Sequence, residues 1–286
     1  MTRIPEGLGE LAGGHDLLVC DVWGVVHNGV RAWPMACVAL QRFRAGGGTV
    51  VLVSNAPRPG SAVARQLAGF SVPADSWDAI VTSGDLARDA LRDARAHAVF
   101  HLGPPRDLGV VEGLDVALVA PEDADIVLNT GLFDDETETP DDYAGLIGRM
   151  RARDLTMICA NPDLVVERGE RLLYCAGAVA ERYEAAGGTV VWAGKPRPPV
   201  YRRALDVAAG IRGQEVPVSR TLAIGDALRT DIAGGSAACF ATLFIATGIH
   251  AADALSDGAP DMDGIARLAD AAGVRPDYVL DLLRWE

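Results

Sequence analysis

The sequence predicts an α/β protein: a doubly wound, Rossmann-like parallel sheet interrupted by an inserted second α/β domain. Three observations predict it. Strand-like and helix-like segments alternate along almost the whole chain, which is the βαβ rhythm of parallel sheets covered by helices. Several short apolar runs end abruptly in a polar residue, as buried strands do when they deliver a side chain to the carboxyl edge of an open sheet. A middle section has strands of its own, with no low-complexity linker and no internal repeat.

In chain order, residues 17–20 read as a buried strand ending at Asp21, and residues 35–44 as a helix broken by Gly46-Gly47-Gly48. The β-branched run 49–53 is a buried strand ending at Ser54. Residues 61–67 are helical, 79–81 extended and 84–94 helical. The middle section contributes strands at 98–102, 116–119, 126–129 and 156–159, and an acidic loop at 134–138. Residues 189–192 form a strand leading to Gly194-Lys195-Pro196, followed by a helix at 199–208. Residues 221–224 form a strand ending at Gly225-Asp226, then a helix at 228–237, a strand at 241–245, and amphipathic helices at 262–272 and 276–285. The expected organisation is a core from residues 1–82 and 187–286 with an inserted domain at 83–186. The same rhythm also admits one large sheet.

The chain has 286 residues, 49% of them apolar and 23% charged, so it is globular and long enough for two domains. A formal charge of −13 argues against a nucleic-acid partner, which needs clustered Lys and Arg, but leaves a phosphate-bearing small molecule open because a metal ion reverses the local field. No apolar run approaches membrane-spanning length and no basic-then-apolar leader begins the chain, so a cytoplasmic protein is expected. Cys20, Cys37, Cys159, Cys175 and Cys239 are dispersed without a C-x-x-C pair and read as buried free thiols. The Gly-rich stretches at 13–14 and 46–48 lack phosphate-loop spacing and read as helix-ending turns. The acidic loop reads as solvated.

Asp21, Ser54, Lys195 and Asp226 all follow apolar strands; if those strands share one parallel sheet, the four side chains converge at its carboxyl edge. Alone, each residue reads as a turn, a helix cap or a loop charge. Together, Asp21-Val22-Trp23-Gly24-Val25, Val53-Ser54-Asn55, Gly194-Lys195-Pro196 and Gly225-Asp226-Ala227-Leu228-Arg229-Thr230-Asp231 resemble the four motifs of the haloacid dehalogenase-like (HAD) superfamily. Asn161-Pro162-Asp163 is similar to the N-P-D element of that superfamily's class IIA cap domain. The class IIA branch holds nitrophenyl-phosphatase-like proteins, sugar phosphatases and pyridoxal-phosphate phosphatases, and its α/β cap lies between the second and third motifs.

The resemblance implies a magnesium-dependent hydrolase of small phosphate esters such as a sugar phosphate, a nucleotide or a pyridoxal phosphate-like compound. It implies Asp21 as the nucleophile that attacks phosphorus, forming an aspartyl-phosphate. Magnesium ligands would be Asp21, the Trp23 backbone carbonyl, Asp226 and Asp231. Ser54, the Asn55 backbone and Lys195 would hold the phosphoryl group, and Asn161 and Asp163 would face the substrate. Arg58 departs from the small polar residues usual after the second motif and reads either as a contact to the substrate's anionic group or as a solvated loop arginine; Arg197 and Arg229 flank motif residues and carry the same two readings. The expected partner is a small phosphorylated metabolite, with no nucleic acid, no membrane and room for a homodimer.

One residue departs from the pattern. Where phosphatases of this family carry a second aspartate, which protonates the leaving oxygen and then activates water, this chain has Trp23. General acid–base help of that kind is worth about 10²–10⁴-fold. Slow turnover, a substitute acid (His27 or Asp163), or a substrate whose leaving group needs no proton all follow. A phosphate-binding protein that does not turn over is the alternative from another class, and carbon–halogen hydrolysis is disfavoured by the complete metal pair.

Overall fold

The computed structural model describes residues 2–168 and 171–286. In chain order the strands are β1 (Leu17–Cys20), β2 (Thr49–Ser54), β3 (Ala79–Thr82), β4 (Ala98–Leu102), β5 (Ala117–Leu118), β6 (Ile126–Asn129), β7 (Thr156–Cys159), β8 (Val165–Arg168), β9 (Arg171–Tyr174), β10 (Thr189–Trp192), β11 (Thr221–Gly225), β12 (Ala241–Ile245), β13 (Leu255–Ser256), β14 (Ala259–Pro260) and β15 (Tyr278–Leu280). The helices are α1 (Leu8–Ala12), α2 (Pro34–Ala45), α3 (Gly60–Gly69), α4 (Ser83–Asp93), α5 (Ala144–Ala152), α6 (Ala176–Ala185), α7 (Pro198–Arg212), α8 (Ala233–Ala237), α9 (Ala251–Ala254) and α10 (Met262–Ala272).

Two compact units result. The first comprises Met1–Ser54, Ala64–Val81 and Val200–Glu286; the second comprises Asn55–Val63 and Thr82–Pro199.

The first unit is built on a six-stranded sheet in the order β15-β12-β11-β1-β2-β3. The pairs β15·β12, β12·β11, β11·β1 and β1·β2 are all parallel. Every residue of β1, β2 and β11 is buried, as expected of unbroken apolar runs covered on both faces. The chain leaves β1 toward β2 and β3, then returns to the other side of β1 through β11, β12 and β15. The strand order therefore reverses between β1 and β11. A crevice opens at the carboxyl ends of strands at such a reversal. Helix α2 starts with Pro34 and buries Ala36, Cys37, Ala39, Leu40 and Phe43, the spacing of one apolar face. It ends at the glycine triplet because Gly47 has φ +89° and a Cβ on Gly48 would sit 2.2 Å from the Phe43 ring.

The second unit has a five-stranded parallel sheet in the order β10-β7-β6-β4-β5. Its strand order reverses between β4 and β6. Leu102, Val127, Tyr143, Met150, Met157 and Tyr183 pack in the core on one side, and Leu91, Val99, Leu128 and Ile158 in a second cluster. Helix α4 opens with a capping box, Thr82 and Asp85 satisfying each other's backbone N–H.

Some expectations are corrected. The sequence pattern puts the stretch 189–192 after the return to the core at residue 187. As β10 it pairs with β7, so it belongs to the second sheet, and that unit runs on to Pro199. Lys195 therefore follows a strand of the second sheet, while Asp21, Ser54 and Asp226 stand at the ends of strands of the first. The stretch 276–285, expected to be helical, contains β15 instead. Its register against β12 is fastened by Asp277, whose carboxylate accepts from the Thr242 N–H and hydroxyl at 2.9 Å each. Val279, Leu280 and Leu283 are buried, so pairing and burial override the amphipathic pattern. Of the five cysteines four are buried, but Cys239, at the turn after α8, is exposed. Among the described residues no helix is long and apolar enough to cross a membrane.

Candidate active site

At the reversal point of the first sheet, three carboxylates converge. Asp21 follows β1, Asp226 follows β11, and Asp231 lies one turn further on; each offers an oxygen within 4.8 Å of the others. All three residues are buried, at 7%, 6% and 4% exposure. Like charges this close and this desolvated repel one another, and a cation among them would offset that repulsion. An all-carboxylate donor set suits a hard divalent ion.

The local backbone explains the convergence. The Asp21 N–H donates to the Ile224 carbonyl at 2.8 Å, continuing the β1–β11 ladder to the carboxylate itself. After Asp226 the chain makes a π-helical turn, Leu228–Ile232, before α8, where sequence periodicity predicts an ordinary helix over residues 228–237. In that turn the Ile232 N–H reaches back five residues to the Ala227 carbonyl. The Asp231 carboxylate folds back to accept the Ala227 N–H at 3.1 Å. Gly225 is required there, since a Cβ would lie 2.1 Å from the Asp231 Cγ.

Asp226 sits in a cradle of main chain. Its Oδ2 accepts the Ile249 N–H at 2.8 Å. A Cβ on Gly24 would come within 2.1 Å of that oxygen, and one on Gly248 within 1.9 Å. Nothing in the sequence marks Gly248, since a glycine three residues after an apolar strand is common, and only the close approach reveals its role.

Trp23 is half-buried, its indole edge against Gly29, where a Cβ would lie 2.2 Å from Cη2. Its ring meets His27 edge-on at 5.0 Å between centroids, and His27 in turn lies 4.8 Å from Phe70. His27 is 2% exposed, and its Nδ1 accepts the Gly29 N–H at 2.9 Å. Burial pushes its pKa down to about 4. This is a neutral loop histidine holding a turn, which removes it from the candidates for a replacement acid.

The second unit gathers another set of predicted residues. Asn55, 4% exposed, donates to Asp163 Oδ1 at 2.9 Å and to the Lys195 carbonyl at 3.2 Å, and accepts from the Lys195 N–H at 2.8 Å and the Ser83 hydroxyl at 3.0 Å. Its amide is fully engaged, fastening the second-motif loop to the third-motif loop and to the N-P-D element. A ligand would therefore meet Asn55 through its main chain. Gly194, at φ +142°, gives way to this cluster: a Cβ would lie 2.0 Å from Ser83 Oγ and 2.5 Å from Asn55 Oδ1. Asn161 Oδ1 accepts the Asp163 N–H at 3.1 Å, closing the N-P-D turn. Arg58 is 37% exposed, with its Nε 3.3 Å from the buried Asp107. Arg197 lies over the Trp192 ring at 5.8 Å. The acidic loop is closed by its own hydrogen bonds, and Asp135 and Glu136 pair with Arg106 and Arg171.

The sequence of a haloacid dehalogenase-like hydrolase from Brucella suis 1330 is 45% identical; its crystal structure superposes at a TM-score of 0.87, covering 98% of this chain and 100% of that one. The chain belongs to the haloacid dehalogenase-like hydrolase family. Residues 18–117 match the model of haloacid dehalogenase-like hydrolases and residues 192–285 that of HAD-hydrolase-like proteins, so the two matches bracket all four motifs. An α/β insertion between the second and third motifs is the class IIA arrangement. The 5′-nucleotidase YutF of Bacillus subtilis (strain 168) is 25% identical over 240 residues, 83% of this chain and 89% of that one. A glycerol phosphate phosphatase of Mycobacterium tuberculosis, solved in complex with calcium, is 25% identical with a TM-score of 0.68, covering 96% of this chain and 75% of that one. The chain is thus a class IIA HAD hydrolase from a family of phosphatases.

Proposed function

We propose that this hydrolase is a magnesium-dependent phosphatase of small phosphate esters that works through an aspartyl-phosphate. The observation that carries the reading is the buried cluster of Asp21, Asp226 and Asp231 at the reversal of the first sheet. Magnesium, held by these carboxylates and the Trp23 carbonyl, would supply the positive field in which phosphate and carboxylate approach one another. Asp21 attacks phosphorus in line; the P–O bond to the leaving group breaks, and the phosphoryl group passes to the carboxylate. Water then attacks phosphorus, releasing phosphate and regenerating Asp21. On the motif resemblance, Ser54 and the Asn55 main chain donate to the phosphoryl oxygens, and Lys195 offsets their charge. Asn161 and Asp163 belong to substrate recognition, with Asp163 oriented by Asn55.

Trp23 favours a second reading, a metabolite binder with little turnover. An indole moves no proton in this pH range, and His27 is buried and neutral. Asp163 is then the residue left to replace the acid.

A panel of phosphorylated metabolites, including nucleoside monophosphates, sugar phosphates, glycerol phosphate and pyridoxal phosphate, tests the reading. Phosphate release from at least one, abolished by chelator, restored by magnesium and absent in a folded Asp21→Asn variant, is expected. Binding with no release from any member would establish the second reading.

A further inference from the structure

In the second unit the strand order reverses between β4 and β6, so a crevice is also expected at the carboxyl ends of those two strands. The loop that follows β4 carries Asp107, and the loop that follows β6 carries Asp135. Asp107 is 3% exposed, and its Oδ1 has no hydrogen-bond partner among the described residues. The nearest cation is Arg58, whose Nε lies 3.3 Å away and is equally without a hydrogen bond. Arg106, beside Asp107, is taken up by Asp135 at 2.5 Å, which leaves Arg58 to Asp107. A carboxylate buried this deeply is retained at a cost unless it does something for the charge it faces.

The Arg58 backbone is equally constrained. A Cβ on Gly84 would lie 2.4–2.5 Å from the Arg58 main chain. The Gly84 N–H donates to the Ala56 carbonyl at 3.0 Å, and Asp85 accepts the Gly60 N–H at 3.1 Å. The loop between Asn55 and Gly60 is thus sewn to the first turn of α4, with Arg58 three residues after the Asn55 that binds Asp163 and Lys195. Three residues span at most about 11 Å, and an arginine arm covers much of that. Asp107 lies at the Nε edge of the guanidinium fork, and the Arg58 side chain is 37% exposed. That fork matches a carboxylate or phosphate in two parallel hydrogen bonds.

We infer that Arg58, positioned by Asp107, recognises a second anionic group on the substrate, so that the preferred esters carry a carboxylate or further phosphate besides the phosphoryl group transferred. This rests on the phosphatase reading and narrows its substrate class. Asp107 is a positioning residue: it touches Arg58 and not the substrate.

The test compares two esters that differ by one carboxylate, 3-phosphoglycerate and glycerol 3-phosphate, through the ratio of their kcat/KM values. Wild type should favour 3-phosphoglycerate. Arg58→Gln should lower the ratio at least tenfold, mainly through KM, and Asp107→Asn should lower it in the same direction, with Arg58→Lys failing to restore it. Calorimetric binding of 3-phosphonopropionate against propylphosphonate, neither of which can be hydrolysed, should show the same preference and the same loss. A wild type that binds the dianion preferentially but releases no phosphate would overturn the phosphatase reading alone. Equal binding of both phosphonates by wild type, or an Arg58→Gln variant with an unchanged ratio, would overturn the role of Arg58. An Asp107→Asn variant that weakens both ligands equally would reduce Asp107 to a structural residue and overturn its positioning role.

Discussion

Gly248→Ala tests the metal cradle without replacing a carboxylate. The new methyl would lie 1.9 Å from Asp226 Oδ2, whereas ordinary contact begins near 3.4 Å, so the oxygen must retreat by about 1.5 Å or the loop must move with it. Magnesium holds its oxygen ligands at about 2.0–2.1 Å in near-ideal octahedral geometry and tolerates little displacement. The φ of Gly248 is one that alanine adopts readily, which separates the clash from backbone strain; Gly24, at φ +81°, would confound the two. Disturbing groups that merely orient a metal ligand costs roughly 10–100-fold in metal affinity, and displacing the ligand itself should cost at least about 100-fold. Magnesium-dependent thermal shift reads this without any substrate, because a ligand at about 100 times its Kd stabilises the folded state by about 2.7 kcal/mol. Wild type should show the shift and Gly248→Ala should lose it. Gly210→Ala, in the open last turn of α7, is the control, expected to keep the shift without loss of stability. A folded Gly248→Ala protein with the wild-type magnesium response would refute the cradle.

Trp23→Asp should raise turnover of alkyl phosphates, whose poor leaving groups need a proton, by at least tenfold, and aryl phosphates less. Losing the indole packed on Gly29 and His27 costs at most about 3–5 kcal/mol, so melting is measured first. A folded variant with no gain on alkyl phosphates would show that the missing acid does not limit the reaction. His27 gives a pH signature. Its folded-state pKa near 4 lies below the usual 6.5, so the unfolded chain binds the proton more tightly. The associated stability, about 3 kcal/mol, is complete above pH 6.5 and lost as the pH falls through 4. His27→Gln should flatten that acid limb of the melting profile; an unchanged limb would contradict the burial argument.

The residues at the ends of β1, β2 and β11 were legible because buried parallel strands are written as unbroken apolar runs, and the polar residue that ends each run marks the sheet edge. Asp231 was legible only through motif spacing, and the π-helical turn that brings it round was not, since helical periodicity looks the same at that length. Which sheet β10 joins is decided by pairing with β7, thirty residues away, and the run Thr-Val-Val-Trp reads alike in either sheet. The β8–β9 hairpin and β15 escaped for a related reason: their apolar content is low or amphipathic, and register supplies what composition does not. Asp107 is an ordinary loop aspartate in sequence; its burial beside Arg58 is a property of three dimensions alone.

The phosphoryl-transfer account turns on Asp21, and chemical trapping addresses it directly. With Trp23 in place of the acid that activates water, hydrolysis of the aspartyl-phosphate should be slow, and the intermediate should accumulate from an aryl ester, whose leaving group departs without a proton. Protein incubated with an aryl phosphate and magnesium, quenched and reduced with borohydride, should then carry homoserine at position 21, with none when magnesium is withheld. Phosphate release that proceeds with Asp21 unmodified, or with the label on another residue, would contradict the account.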